Sequence, residues 1–256
     1  MLGAIAGDVI GSVFERFPTK SMGFPLFSHN SSFTDDTVLT VAVAWSILNR
    51  TNYTDALKKF GRKYPNAGYG GFFYRWMFSS NREPYNSWGN GSAMRVSAVG
   101  FAFSSLDDVL KEAKKSAEVT HNHTEGIKGA QATALAIYLA RTGNDKGTIK
   151  KEISNRFGYD LNRAIDDIRK TYCFDVSCQG SVPEAIISFL ESENFEDAIR
   201  RAISLGGDSD TLACMTGGIA QAYYKKVPPD IASNVRERLP NEFLSIIDEF
   251  NEQYGL

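Results

Sequence analysis

Apolar residues recur along most of this chain at the three-and-four spacing of helices, and the polar interruptions fall where helices start and stop. The pattern predicts helices over residues 38–48, 53–64, 106–119, 127–140, 149–157, 161–172, 185–190, 195–205, 212–224, 231–238 and 242–253. Boundary signals support several of them. Thr54 and Asp55 open the second and Pro65 closes it, Ser105 caps the helix from Leu106, and Pro183 stands as a first-turn proline ahead of Ala185. Pro228-Pro229 breaks the chain before the last two. Alternation at period two is nowhere sustained, and no fixed repeat length recurs. The expected fold is all-α, a compact, single-domain orthogonal helical bundle over residues 1–256 with irregular loops.

Two stretches depart from that texture. Near the N-terminus Gly3, Gly7 and Gly11 lie four apart, with Asp8, Ser12 and Glu15 on an adjoining stripe. Glycine at every fourth position weakens a helix, so the stripe predicts a neighbouring backbone too close for a Cβ. The polar stripe beside it faces either solvent or a site. Between Asn66 and Gly91, glycines alternate with Tyr69, Phe72, Phe73, Tyr74, Trp76, Tyr85 and Trp88. Core packing accounts for any one of these rings. The density of Gly, with Asn86, Asn90 and Ser92 nearby, reads as a loop that brings backbone N–H groups to an anion.

The strongest chemical signal is a pair of polar loops, each running into an apolar helix. Phe33-Thr34-Asp35-Asp36-Thr37 precedes Val38–Leu48, and Gly206-Gly207-Asp208-Ser209-Asp210-Thr211 precedes Leu212–Tyr224. Each loop taken alone reads as an N-cap, because Thr and Asp oxygens accept the free N–H groups of a first turn. A cap needs one such side chain, however, and each loop supplies two Asp and at least one Thr. The surplus oxygens predict a hard cation, Mg²⁺ or Mn²⁺, since no Cys or His stands near them for zinc. The two loops read as halves of one site.

Composition narrows the setting. The 256 residues, 43% of them hydrophobic, suffice for a sizeable core, and a formal net charge of -2 with scattered Lys and Arg offers no basic face for a nucleic acid. Three cysteines without a C-x-x-C spacing argue against a disulfide framework and against structural zinc. A reducing, cytoplasmic location is expected. Asp8 interrupts the apolar N-terminus, which lacks the basic start of a signal peptide, and no stretch reads as a membrane span. Thr120-His121-Asn122-His123 places two His at alternate positions, but no third ligand of that kind is visible. A helix-start hydrogen bonder or a substrate contact fits these residues better.

Taken in order, Gly3-Ala4-Ile5-Ala6-Gly7-Asp8 with Gly11-Ser12 and Glu15, the Phe33–Thr37 loop, Gly89-Asn90-Gly91-Ser92-Ala93-Met94-Arg95, Thr120-His121 and the Gly206–Thr211 loop resemble the ADP-ribosylglycohydrolase family. The resemblance covers most of the chain. It implies a compact all-α enzyme holding two Mg²⁺ or Mn²⁺ ions, with Thr34, Asp35, Asp36, Asp208, Asp210 and Thr211 as metal ligands. Glu15 falls where some members place a further metal-linked acid. Asn90, Gly91, Ser92 and His121 resemble the segments that hold the pyrophosphate and ribose of ADP-ribose, with Tyr85 and Trp88 among the rings that would pack on adenine.

The implied reaction is hydrolysis of the N- or O-glycosidic bond between the distal ribose of ADP-ribose and an acceptor, either a protein side chain or a small molecule. Asp36, Asp208 and Glu15 are the candidate catalytic carboxylates. Two other classes use the same residues. A metal-dependent nucleotide phosphohydrolase would attack phosphorus, releasing AMP, and a non-catalytic member would only bind ADP-ribose or pack.

Overall fold

A computed structural model describes residues 1–256 as an all-helical chain. In order the helices are α1 (Leu2–Arg16), α2 (Asp35–Leu48), α3 (Tyr53–Lys63), α4 (Gly71–Phe78), α5 (Gly91–Met94), α6 (Ser97–Ala102), α7 (Leu106–Glu118), α8 (Thr124–Arg141), α9 (Lys146–Phe157), α10 (Ile165–Thr171), α11 (Cys178–Leu190), α12 (Phe195–Ile203), α13 (Ser209–Tyr224), α14 (Pro229–Arg236) and α15 (Asn241–Tyr254). No strand forms, and the one β-bridge is isolated, between Gly89 and Ser177. A single cluster of 67 buried apolar residues runs from Met1 to Phe250, so the chain is organised on one core.

Several boundaries differ from the sequence expectation. Gly71–Phe78 is helical inside the stretch expected to be loop, because Phe73, Trp76 and Met77 at helical spacing are buried on one face. In α3 the capping oxygen belongs to Asn52, which accepts from the Thr54 N–H at 2.7 Å, ahead of the expected Thr54 and Asp55. α8 begins at Thr124, three residues early, because the His123 ring Nδ1 accepts from the Glu125 N–H. The expected helix 161–172 shortens to Ile165–Thr171.

Pro183 is the clearest correction. α11 begins at Cys178, with the Ser177 hydroxyl accepting the Gly180 N–H at 3.0 Å, so Pro183 lies inside the helix and not in its first turn. The carbonyl that a proline at this position leaves without a partner is that of Gln179, four residues back, and Gln179 is exposed to water.

Helix α1 packs against α13 more closely than side chains would allow. A Cβ on Gly7 would sit 1.9 Å from the Ala213 carbonyl oxygen, one on Gly3 2.4 Å from that of Gly217, and one on Gly11 2.5 Å from the Asp210 Cα. The expected close approach is therefore real, and its partner is the helix that follows the second Asp loop. The consequence is functional placement: the polar stripe of α1 is carried to the N-terminus of α13. The apolar body of α2, with Val38 through Ala44 buried, brings the first Asp loop to the same place.

Candidate metal centre and ligand cavity

Three helix ends meet at one point. Asp8 and Glu15 come from α1, Asp35 and Asp36 from the first turn of α2, and Asp208 and Asp210 from the start of α13. The loops touch directly, the Thr211 hydroxyl lying 3.2 Å from Asp36 Oδ2. Carboxylate oxygens of Asp8, Asp36 and Asp210 lie within 4.8 Å of one another, and so do those of Glu15, Asp208 and Asp210. Asp210 belongs to both groups. Asp35 belongs to neither; it is half-buried, lines the cavity described below, and has Gly68, at φ 102°, against its carboxylate.

The cap reading holds for only one loop. The Thr34 hydroxyl oxygen accepts from the Asp36 N–H at 3.3 Å, as an N-cap does. Asp208 occupies the N-cap position of α13 but makes no side-chain cap bond. Its Oδ2 accepts instead from the Asn90 side-chain amide at 2.7 Å, a group 118 residues away.

Asp8 is the residue whose importance the sequence pattern left undecided. Fully buried, it accepts from the Thr34 N–H at 2.9 Å, the Thr34 hydroxyl at 2.7 Å, the Thr37 N–H at 3.1 Å and the Thr37 hydroxyl. It thus clamps the first loop from beneath. The signal available in the sequence was its place on the stripe beside the glycines, which fixed its direction but not its burial.

These carboxylates lack the compensation that buried charge requires. None of the protein's ion pairs involves Asp8, Asp35, Asp36, Asp208 or Asp210. Burial, and then the charges of their neighbours, hold Asp35, Asp36 and Asp210 well above the ordinary carboxylate range. Asp8 and Asp208 are raised as well, burial outweighing the hydrogen bonds they accept. Glu15, exposed, is raised by partial burial and by Asp208. Asp36 Oδ1 is buried with no hydrogen-bond partner. An all-oxygen donor set, an orphaned buried carboxylate oxygen and no neighbouring cation together fit a hard divalent ion.

The acid cluster lines a cavity of about 390 Å³ and, at the end where Asn90 meets Asp208, Asn90, Gly91, Arg95 and His121 line it too. The bridge between Gly89 and Ser177 pins this end, the Asn90 N–H donating to the Val176 carbonyl at 2.8 Å. Gly91 is where a side chain would collide with His121, a Cβ there lying 3.2 Å from Nε2. Ser92 is turned away, buried, with its hydroxyl on the Gly126 carbonyl at 2.7 Å. His121 is buried and faces the cavity, while His123 caps α8, so the two do not form a pair. Burial and the nearby Arg95 push the His121 ring well below its usual range, leaving it neutral at pH 7.

Aromatic rings rim the opening. Tyr85 lines the cavity and stacks on Phe72 at 6.0 Å and 17°, whereas Trp88 is exposed and does not line it. Phe72, one of the rings of the Gly-rich stretch, and Phe174 are exposed at the cavity; the sequence did not single out Phe174, since exposure of an apolar ring is invisible in a helical pattern.

Comparison with known proteins accords with this geometry. The family described as ADP-ribosylglycohydrolase matches residues 1–255. Among curated relatives, ADP-ribosylhydrolase ARH3 of Gallus gallus is 30% identical, the alignment covering 90% of this chain and 86% of the relative. The ADP-ribosylarginine hydrolase Tri1 of Pseudomonas putida is 26% identical over 92% of this chain and 72% of its own. A solved structure titled as an ADP-ribosylglycohydrolase-related protein complex superposes with a TM-score of 0.73 at 23% identity, covering 98% of this chain and 96% of that one, a likeness of fold.

Proposed function

This chain belongs to the ADP-ribosylglycohydrolase family, and on that premise we propose that it frees ADP-ribose from an acceptor by hydrolysing the N- or O-glycosidic bond at the distal ribose, with Mg²⁺ or Mn²⁺ held between its Asp loops. The observation that carries the reading is the sharing of buried Asp210 between two three-carboxylate groups. It supports two cations that would share Asp210, and the diphosphate of the substrate is assigned to the Asn90–Gly91 turn of the same cavity. The acceptor is a protein side chain or a small molecule.

In this reading Asp36, Asp208 and Asp210, with the Thr34 and Thr211 hydroxyl oxygens, hold the cations, and Asp35 stands at the rim. Asp8, whose oxygens already accept four hydrogen bonds, holds the first loop in shape. The cations, when bound, would offset the carboxylate charge, polarise ribose hydroxyls and acidify a nearby water. Asp36 and Asp208 are engaged by Thr211 and Asn90, whereas Glu15 is exposed, so Glu15 is assigned the general base. It takes the proton of the water that attacks the anomeric carbon. The bond to the acceptor breaks as positive charge grows on the sugar beside the remaining carboxylates, and the departing acceptor takes up a proton.

The test is a panel of defined linkages, ADP-ribosyl-arginine, ADP-ribosyl-serine, O-acetyl-ADP-ribose and an ADP-ribosylated base, offered to protein loaded with Mg²⁺ or Mn²⁺. Free ADP-ribose should appear from at least one and cease on chelation. AMP with ribose phosphate as the products would instead assign cleavage to the pyrophosphate and overturn the proposal.

A further inference from the structure

Arg95 is the only Lys or Arg among the residues lining the cavity; the acidic side chains there are Glu15, Asp35, Asp36, Asp208 and Asp210. Its side chain is wholly buried and faces no carboxylate partner. Nη2 donates to the Ser116 carbonyl at 2.9 Å and to the Thr120 hydroxyl oxygen at 2.8 Å, while Nε and Nη1 have no partner. Burial lowers its pKa only to about 10, so it stays charged at neutral pH. A buried guanidinium without an anion costs stability, and its presence calls for another reason.

The reason lies in what its neighbour must then do. Thr120 Oγ1 is 2.8 Å from His121 Nδ1 as well as 2.8 Å from Arg95 Nη2. A guanidinium has no lone pair and can only donate, so it occupies an acceptor position of the hydroxyl. One acceptor position and the proton remain, and the guanidinium charge favours the orientation in which that proton points away from it toward His121 Nδ1, making Nδ1 the acceptor. A neutral imidazole that accepts at Nδ1 carries its proton on Nε2. Nε2 is the ring atom nearest the vacant side-chain positions of Gly91 and Gly89, at 3.2 and 3.7 Å from the Cβ each would carry.

We propose that Arg95 is a positioning residue which, through the Thr120 hydroxyl, fixes His121 as the neutral Nε2–H tautomer and presents that N–H at the Asn90–Gly91 turn as a donor to a phosphate oxygen. The ligand half of this statement rests on the proposed function; the tautomer half does not. Burial and the charge of Arg95 also disfavour an imidazolium, whose Nδ1–H would turn the Thr120 proton away from the ring. Tyr85, with its ring 6.0 Å from that of His121 and its hydroxyl beside Thr120, and Cys178, buried near Arg95, are the other titratable groups packed here, and burial pushes each up to about 12, so both are neutral.

Long-range ¹H–¹⁵N spectra test the assignment directly, because the protein has only three histidines. In the ligand-free wild type at neutral pH the signals lost in His121→Asn should show the neutral Nε2–H pattern. Thr120→Val keeps the shape of the side chain and removes the hydroxyl; it should redistribute the tautomer and weaken ADP-ribose binding about tenfold, a hydrogen bond of ordinary worth. Thr120→Ser should restore both. Arg95→Met should shift the tautomer the same way, and if it does not fold, the Thr120 pair still decides.

An Nδ1–H or doubly protonated ring in the wild type, or an unchanged tautomer in Thr120→Val, would overturn the positioning role even if ADP-ribose bound. The expected tautomer shifts without any binding of ADP-ribose to metal-loaded wild type would instead overturn the ligand assigned to the cavity.

Discussion

The two Asp loops have nearly the same sequence and are held in opposite ways. The first is gripped through one carboxylate: Thr34 caps α2, and Asp8 of α1 takes four hydrogen bonds from Thr34 and Thr37. The second has no side-chain cap and is held by several separate groups, the left-handed turn at Gly206 (φ 68°), Lys20 Nζ on the Leu205 carbonyl at 2.5 Å, and Asn90 on Asp208. Like motifs therefore need not share supports. The first loop rests on α1, while the second ties the acid cluster directly to the Asn90–Gly91 turn.

Removing charge from the shared corner should produce the largest effect. Asp210→Asn is expected to lower turnover by on the order of 10³-fold, comparable to deleting a principal electrostatic contact, and to leave the metal-free protein no less stable. Asp35→Asn, outside both three-carboxylate groups, should cost distinctly less. Single-turnover rates for the pair decide this. If Asp35→Asn were the more damaging change, the grouping around Asp210 would be wrong.

Breaking the clamp should act on stability first. Asp8→Asn offers one acceptor oxygen and a misplaced amide to four donors, so it should destabilise by about 1–3 kcal/mol with or without metal. Asn90→Ala, which releases the second loop, should cost no more than about 1 kcal/mol while lowering turnover through a freed Asp208. Denaturant melts beside rate measurements separate the two, and equal stability losses would erase the distinction between the Asp8 and Asn90 supports.

The pH response of metal-free protein has a definite sign. Asp8, Asp35, Asp36, Asp208 and Asp210 have folded pKa values raised above their unfolded values of about 4. Such groups contribute stability that is complete below the unfolded pKa and is lost as pH rises through the folded one. His121, lowered in the fold, acts oppositely, losing stability as pH falls below about 6.5. A difference between variants cancels the histidine. From about pH 5 to pH 8, metal-free wild type should lose stability relative to metal-free Asp210→Asn, and added Mn²⁺ should remove that difference in slope. Parallel curves without metal would mean the cluster is not repulsive.

The smallest effects belong to Gly91 and Trp88. Gly91→Val places a branched side chain against His121 Nε2 and should weaken ADP-ribose binding about tenfold while metal-induced stabilisation persists. Trp88→Ala, off the cavity, should change binding less than twofold by titration calorimetry. A larger loss at Trp88 than at Gly91 would move the ligand outside the cavity.

The sequence by itself determined the helical fold, the two oxygen-rich loops and the glycine stripe, because helix period, capping oxygens and missing Cβ atoms are local properties. It also carried the ordered motifs by which the family is recognised. It misplaced Pro183 and the Gly71–Phe78 helix, where burial of one face outweighed local loop and first-turn signals. Which carboxylates share a corner was decided only in three dimensions: Asp8 comes in because α1 lies within a Cβ of α13, and Asp35, adjacent to Asp36, turns to the rim. The contact of Arg95 with Thr120 spans 25 residues and two helices, and Thr120 in turn sets the proton of its neighbour His121. Such a relay is written in tertiary packing, since a hydroxyl's direction depends on every partner around it and not on its neighbours in the chain.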